Sequence, residues 1–206
     1  MNWRNVCTQR CKIADNNAMM NLPLLLTWAR IACIPLLILC FVPGVLPLET
    51  GERNQVSAWL FIIAAVTDWL DGYLARKWHQ TSNFGAFLDP VADKLIVSTA
   101  LVLLVADSRV SELVTIIIIG REITISALRE WMATMGKRKS VAVNMIGKFK
   151  TAAQLVAIPM LLHAGQVAGF DMIFWGTLLI WVAAILTLWS MAYYLYVAWP
   201  DLKEGG

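Results

Sequence analysis

Charge is scarce in this chain. Of its 206 residues, 15% are Asp, Glu, Lys or Arg and 59% are hydrophobic, whereas an average soluble domain is about 25% charged and 45–50% apolar. The mean hydropathy is +0.64. That balance excludes an ordinary soluble domain, and no nucleic-acid partner is expected. Histidine is nearly absent: neither His79 nor His163 completes a ligand pattern with Cys7, Cys11, Cys33 or Cys40, which argues against a zinc site. Cys33 and Cys40 fall in an apolar run and read as small packing residues. Linkers, internal repeats and low-complexity tracts are also missing, so a second domain is not expected. The polar segment 1–19 has no apolar stretch of the kind a signal peptide needs. It reads as an N-terminal extension to a membrane domain over residues 20–206, and Met20 opens "MNLPLLLTWAR" as a natural start would.

Apolar runs long enough to cross a bilayer, about 20 residues each, recur along the whole length. Six spans are expected, over residues 24–46, 55–75, 84–106, 111–133, 147–165 and 172–198. The fold class is therefore all-α, a polytopic membrane protein with six transmembrane helices, because helices satisfy their own backbone hydrogen bonds in lipid. Placing both termini in the cytoplasm puts eleven of the 17 basic residues on that side and leaves only Arg53 and Arg109 outside. The excess of positive charge on cytoplasmic loops sets this orientation. Cys7 and Cys11 then face the cytoplasm, where thiols stay reduced.

Against this background four aspartates stand out: Asp68, Asp71, Asp89 and Asp93, in "DWLDGYLARKWHQTSNFGAFLDPVADK". Asp68 and Asp71 share a helix face with Gly72 and Ala75, and Gly85, Asp89 and Asp93 recur every fourth residue on another. A short connection makes spans two and three a hairpin, whose cytoplasmic ends can bring the four carboxylates together. Salt-bridge partners such as Arg76, Lys77 and Lys94 are the bland alternative for any one of them. Four carboxylates at this spacing raise one another's pKa unless compensated, and bound divalent cations account for them better. An all-oxygen set without histidine or thiolate suits Mg²⁺ or Mn²⁺, and two such ions are a common device for phosphoryl chemistry. Pro90 removes a helical hydrogen bond beside Asp89 and suggests a local irregularity there.

The spacing Asp68-x₂-Asp71-Gly72-x₂-Ala75-Arg76-x₈-Gly85-x₃-Asp89-x₃-Asp93 resembles the signature of the CDP-alcohol phosphatidyltransferases, and every position of it is filled. "NLPLLLTWAR" (21–30) is similar to the N-terminal stretch of that family. The segments "GREITISALREWMATMGK" (120–137) and "SVAVNMIGKFKTAAQ" (140–154) resemble its bacterial branch that uses glycerol 3-phosphate, with Asn144 where a serine is expected. The resemblance implies transfer of the phosphatidyl group from CDP-diacylglycerol to sn-glycerol 3-phosphate, giving phosphatidylglycerol phosphate and CMP in phospholipid biosynthesis. It implies two metal ions held by Asp68, Asp71, Asp89 and Asp93, with Asp93 also the general base. It places Pro23, Gly72, Arg76 and Ser82 against CDP-diacylglycerol. It further implies a bacterial inner membrane location with the active site facing the cytoplasm, among membrane lipids, and a homodimer.

The acceptor carries a phosphate, so cations should line its pocket. Arg121 within span four, and Lys148 and Lys150 at the head of span five, are the candidates. Glu122 and Arg129, seven residues apart, read as a structural pair. The alternative acceptors are phosphatidylglycerol (giving cardiolipin), serine and an inositol phosphate. A divalent-cation transporter fits less well, since its carboxylates belong near the bilayer midplane and no inverted repeat is visible. The tryptophans Trp175, Trp181, Trp189 and Trp199 suit interfacial anchoring or helix packing and are assigned no chemistry.

Overall fold

The computed structural model describes the backbone over residues 22–78, 83–134, 145–167 and 169–204; side chains are described over these except at 22–24, 71–78, 83–87, 133, 145–148, 197–198 and 200–204. The expected residues 1–19 extension lies outside them. Six long helices follow one another: α1 Leu22–Phe41, α2 Thr50–Trp78, α3 Asn83–Ala106, α4 Glu112–Thr134, α5 Met145–His163 and α6 Met172–Glu204. Between α5 and α6 a small hairpin pairs β1 (Gln166–Val167) with β2 (Phe170–Asp171) in antiparallel register, Gln166 opposite Asp171. Gly169 makes this turn with a φ of +82°, open to glycine because it lacks a Cβ. The fold is all-α apart from this hairpin. By length and composition α6 can cross a membrane over Met172–Tyr196.

Three helix ends differ from the hydropathy reading by five residues or more, the last being α6, which runs past 198 to Glu204. α1 stops at Phe41 although apolar residues continue to Leu46. Pro43 disfavours helix at Val42, and Gly44 takes a φ of +79°, so the backbone turns where hydropathy sees no change. α2 starts at Thr50, five residues before the apolar run, because the polar turn "TGERNQ" is helical and engaged. Arg53 Nη2 contacts both oxygens of Asp107 at 3.2 and 3.0 Å, and its guanidinium lies 4.8 Å from the Phe41 ring centre. Arg109 bonds Asp107 at 2.6 Å and Asn54 Oδ1 at 2.7 Å, and donates to the carbonyls of Leu161 and Leu162. A cation on the last carbonyls of α5 opposes the negative end of that helix. Burial pulls the Arg109 pKa below its ordinary value against the opposing pull of Asp107.

The larger apolar core cluster runs between the helices and includes Leu37, Phe61, Ile96, Leu101, Leu104, Ile118, Ile158, Leu161 and Ile180, and a smaller one holds Ile125, Met132 and Tyr194. α5 packs most extensively on α6, α1 lies on α2 and α3, α2 reaches α5, and α4 leans on α6. The α5–α6 approach is close at Gly176, where an added Cβ would sit 2.7 Å from Leu161 Cγ and 3.3 Å from the carbonyl oxygen of Ala157. The outward faces are as apolar as the core: Trp59, Ile116, Ile123, Ile185 and Trp189 are each more than 60% exposed. Trp175, Trp181 and Trp199 lie on that outer surface with Trp189. Soluble monomers rarely expose so continuous an apolar skin.

Candidate active site

α1 brings Thr27 and Arg30, three residues apart and both buried, onto the C-terminal half of α2 and the N-terminal half of α3. Arg30 Nη1 lies 2.9 Å from Asp68 Oδ1 on α2 and 2.9 Å from Asp93 Oδ1 on α3. Thr27 donates its hydroxyl hydrogen to Asp89, one turn before Asp93. The Asp68 and Asp93 side chains remain 41% and 47% exposed while Arg30 is fully enclosed, so both carboxylates stay accessible to solvent. Pro90 is accommodated inside α3, which runs unbroken through Asp89 and Asp93.

Three of the four expected aspartates therefore gather where α1, α2 and α3 meet, and Asp68 and Asp93 share one guanidinium nitrogen. The Asp71 side chain lies outside the described residues, as do those of Pro23, Gly72, Arg76, Ser82 and Lys148. Among the described residues no group of three His, Cys, Asp or Glu side chains is drawn together tightly enough to hold a metal ion. The donor chemistry nevertheless suits a hard cation: Asp68 and Asp93 share Arg30, Asp89 accepts from Thr27, and all three offer only oxygen. Arg30 and Thr27 are site residues that the spacing of the aspartates did not reveal. Their signal was the polar pair Thr27 and Arg30 within an otherwise apolar run, three residues apart and so on one face.

A second cluster lies across from the first. Arg121, on α4 and 4% exposed, donates from Nη1 to Glu122 Oε1 at 3.0 Å and from Nη2 to Ser190 Oγ on α6 at 3.3 Å. The Lys150 ammonium, from α5, donates to the same Glu122 oxygen. Arg121 and Arg129 both stand over the Tyr194 ring, 5.9 and 5.6 Å from its centre. Two expected acceptor-site cations, Arg121 and Lys150, are thus joined by one carboxylate. The expected Glu122–Arg129 pair is replaced by this arrangement, because α5 presents a lysine to Glu122 and Arg129 turns to an aromatic face.

One cavity of about 410 Å³ connects the two clusters. Asp68 and Asp93 line one side, and Arg121, Glu122, Arg129 and Gln154 line the other. Acidic residues that can take a proton or a cation and basic residues that can take an anion therefore address the same space. A small molecule with a hydroxyl at one end and a phosphate at the other fits that division of charge.

Comparison with known proteins identifies the family. The profile of the CDP-alcohol phosphatidyltransferases matches residues 20–189. A "CDP-diacylglycerol--glycerol-3-phosphate 3-phosphatidyltransferase" of Salmonella choleraesuis (strain SC-B67) is 51% identical over 191 residues, covering 89% of this chain and 98% of the relative. Proteins of the same description from Sodalis glossinidius (strain morsitans) and Yersinia pestis (strain Pestoides F) are 50% and 48% identical, each over 90% of this chain and 98% of their own length.

Proposed function

The chain belongs to the CDP-alcohol phosphatidyltransferase family, and we propose that it transfers the phosphatidyl group of CDP-diacylglycerol to sn-glycerol 3-phosphate, giving phosphatidylglycerol phosphate and CMP. The observation that carries this reading is the single cavity with Asp93 on one side and Arg121 on the other. The activity printed for the relatives supports it.

In this reading the acceptor phosphate binds Arg121, Lys148 and Lys150. Glu122 holds the two cations in place and balances part of their charge while no phosphate is present. The acceptor then extends across the cavity with its 1-hydroxyl at Asp93. Asp93 takes the hydroxyl proton, and the oxygen forms a bond to the phosphorus that carries the diacylglycerol. The bond from that phosphorus to the oxygen of CMP breaks, and the electron pair leaves with CMP. Pro23, Gly72, Arg76 and Ser82 contact the CDP-diacylglycerol, and Arg30 orients Asp68 and Asp93 from below. Asp68, Asp71, Asp89 and Asp93 hold Mg²⁺ or Mn²⁺, which when bound neutralises charge on the pyrophosphate. The six helices cross the cytoplasmic membrane with this site facing the cytoplasm; the apolar outer faces and the distribution of basic residues support that placement.

Metal removal tests the mechanism. CMP release from CDP-diacylglycerol and glycerol 3-phosphate should vanish on chelation and return when Mg²⁺ is restored. Undiminished turnover after exhaustive chelation would remove the metal from it.

A further inference from the structure

Gln154 has no part in the mechanism above, yet its position is unusual. It follows Lys150 by four residues on α5, so the two share a face one turn apart. It lines the same cavity as Asp93, Arg121 and Glu122. The residue is 4% exposed, and its carboxamide nitrogen is buried with no hydrogen-bond partner. A buried donor left unpaired is destabilising, because it gives up its bond to water and gains none. An apolar side chain of the same volume, such as methionine, would fill the position without that cost. Two other buried donors in this cavity, Arg121 Nε and Arg129 Nε, are unpaired as well. These belong to cations, whose partner is a phosphate; a neutral carboxamide adds no charge to that task. What it offers instead is a donor and an acceptor side by side, the complement of an alcohol that both accepts and donates.

Glycerol 3-phosphate has one such group left over. Its phosphate is taken by the cations and its 1-hydroxyl by Asp93, which suspends the carbon at position 2 between them in the cavity that Gln154 lines. We propose that Gln154 is a specificity-determining residue that binds the 2-hydroxyl of the acceptor, donating from Nε2 to the hydroxyl oxygen. The proposal rests on the assignment of this cavity to the acceptor. It makes the site one for a phosphorylated polyol, rather than for any alcohol that carries a phosphate.

The test compares glycerol 3-phosphate with 3-hydroxypropyl phosphate, which keeps the nucleophile and the phosphate and lacks only the 2-hydroxyl. A site built to hydrogen-bond a hydroxyl discriminates strongly against an analogue without it, so the wild-type protein should prefer glycerol 3-phosphate by roughly 10²-fold or more in kcat/KM. Gln154→Met should bring the two acceptors to within about threefold of each other, by loss on glycerol 3-phosphate, with the KM for CDP-diacylglycerol unchanged. Gln154→Ala should behave alike. If Gln154 only supports the helix, its variants will lower both acceptors by one factor and keep the preference, which overturns the proposal. A wild-type protein that uses both acceptors equally overturns it without any variant. Lys150→Met separates this from the broader reading: it should raise the KM for both phosphates and leave the preference intact. No change in either KM would dismiss the acceptor assignment itself, whereas a normal Lys150 response with an unaltered Gln154 preference dismisses only the role of Gln154.

Discussion

Asp89 and Asp93 stand one turn apart on α3, yet their surroundings divide their work. Asp89 accepts a hydrogen bond from a neutral hydroxyl, Thr27, whereas Asp93 shares the Arg30 guanidinium with Asp68 and lines the cavity. In the proposed mechanism Asp93 is the base, and Asp89 only a ligand. Asp93→Asn keeps the shape and one oxygen but does not readily take a proton. It should still bind Mg²⁺ and CDP-diacylglycerol, while turnover falls by roughly 10²–10⁴-fold. A loss confined to kcat is what removing an interaction made only in the transition state predicts. Asp89→Asn should weaken metal binding instead, so excess Mg²⁺ should restore part of its activity. Equal rescue of both variants by Mg²⁺ would make Asp93 chiefly a ligand. The aspartates themselves were legible from their spacing. Arg30 was not, because its role arises only when α1 packs against α2 and α3, with 38 and 63 residues of chain separating it from its partners. The same holds for Glu122: its partner by helical spacing was Arg129, but a lysine from another helix lies closer.

Among the elements, α5 matters most, since it carries Lys150 near its N-terminus and meets α6 along its length. Its C-terminal end is fixed by Arg109, whose guanidinium reaches the Leu161 and Leu162 carbonyls. Just inside that end Gly176 of α6 lets the two backbones approach. Gly176→Ala would place a methyl group 2.7 Å from Leu161 Cγ, and such overpacking should destabilise the protein by about 1–3 kcal/mol. Gly120→Ala on α4 is the control, because a Cβ there meets nothing within 4 Å. Alanine within a helix is favoured over glycine by roughly 0.5–1 kcal/mol. Thermal unfolding in detergent should therefore show a lower Tm for Gly176→Ala and an unchanged or higher one for Gly120→Ala. Equal shifts would mean that the α5–α6 contact is not limiting. Hydropathy located all six helices, and erred where backbone geometry or a polar turn decided the end. Proline and glycine stop α1 within an apolar run, and the engaged "TGERNQ" turn starts α2 within a polar one.

For the whole molecule, the apolar outer skin and the asymmetry of basic residues argue for a bundle in the membrane with its cavity opening to the cytoplasm. An introduced thiol at Ser108, beside the Arg53–Asp107–Arg109 cluster, should react with a reagent applied outside intact cells, and thiols at Ser82 and Ser140 should not. Reaction at Ser82 from outside would invert the orientation. The family was legible in the aspartate signature, and six helices in the apolar runs. What a linear reading does not contain is the cavity, which four helices, α2 to α5, line with side chains of both charges. That cavity is the basis for assigning glycerol 3-phosphate as the acceptor. The most direct measurement is CMP release by the purified protein with CDP-diacylglycerol and Mg²⁺, with each acceptor alcohol offered in turn. Glycerol 3-phosphate should support turnover, and serine, inositol phosphate and phosphatidylglycerol should give only background release. Turnover with any of these three at a rate equal to or above that with glycerol 3-phosphate would contradict the assignment.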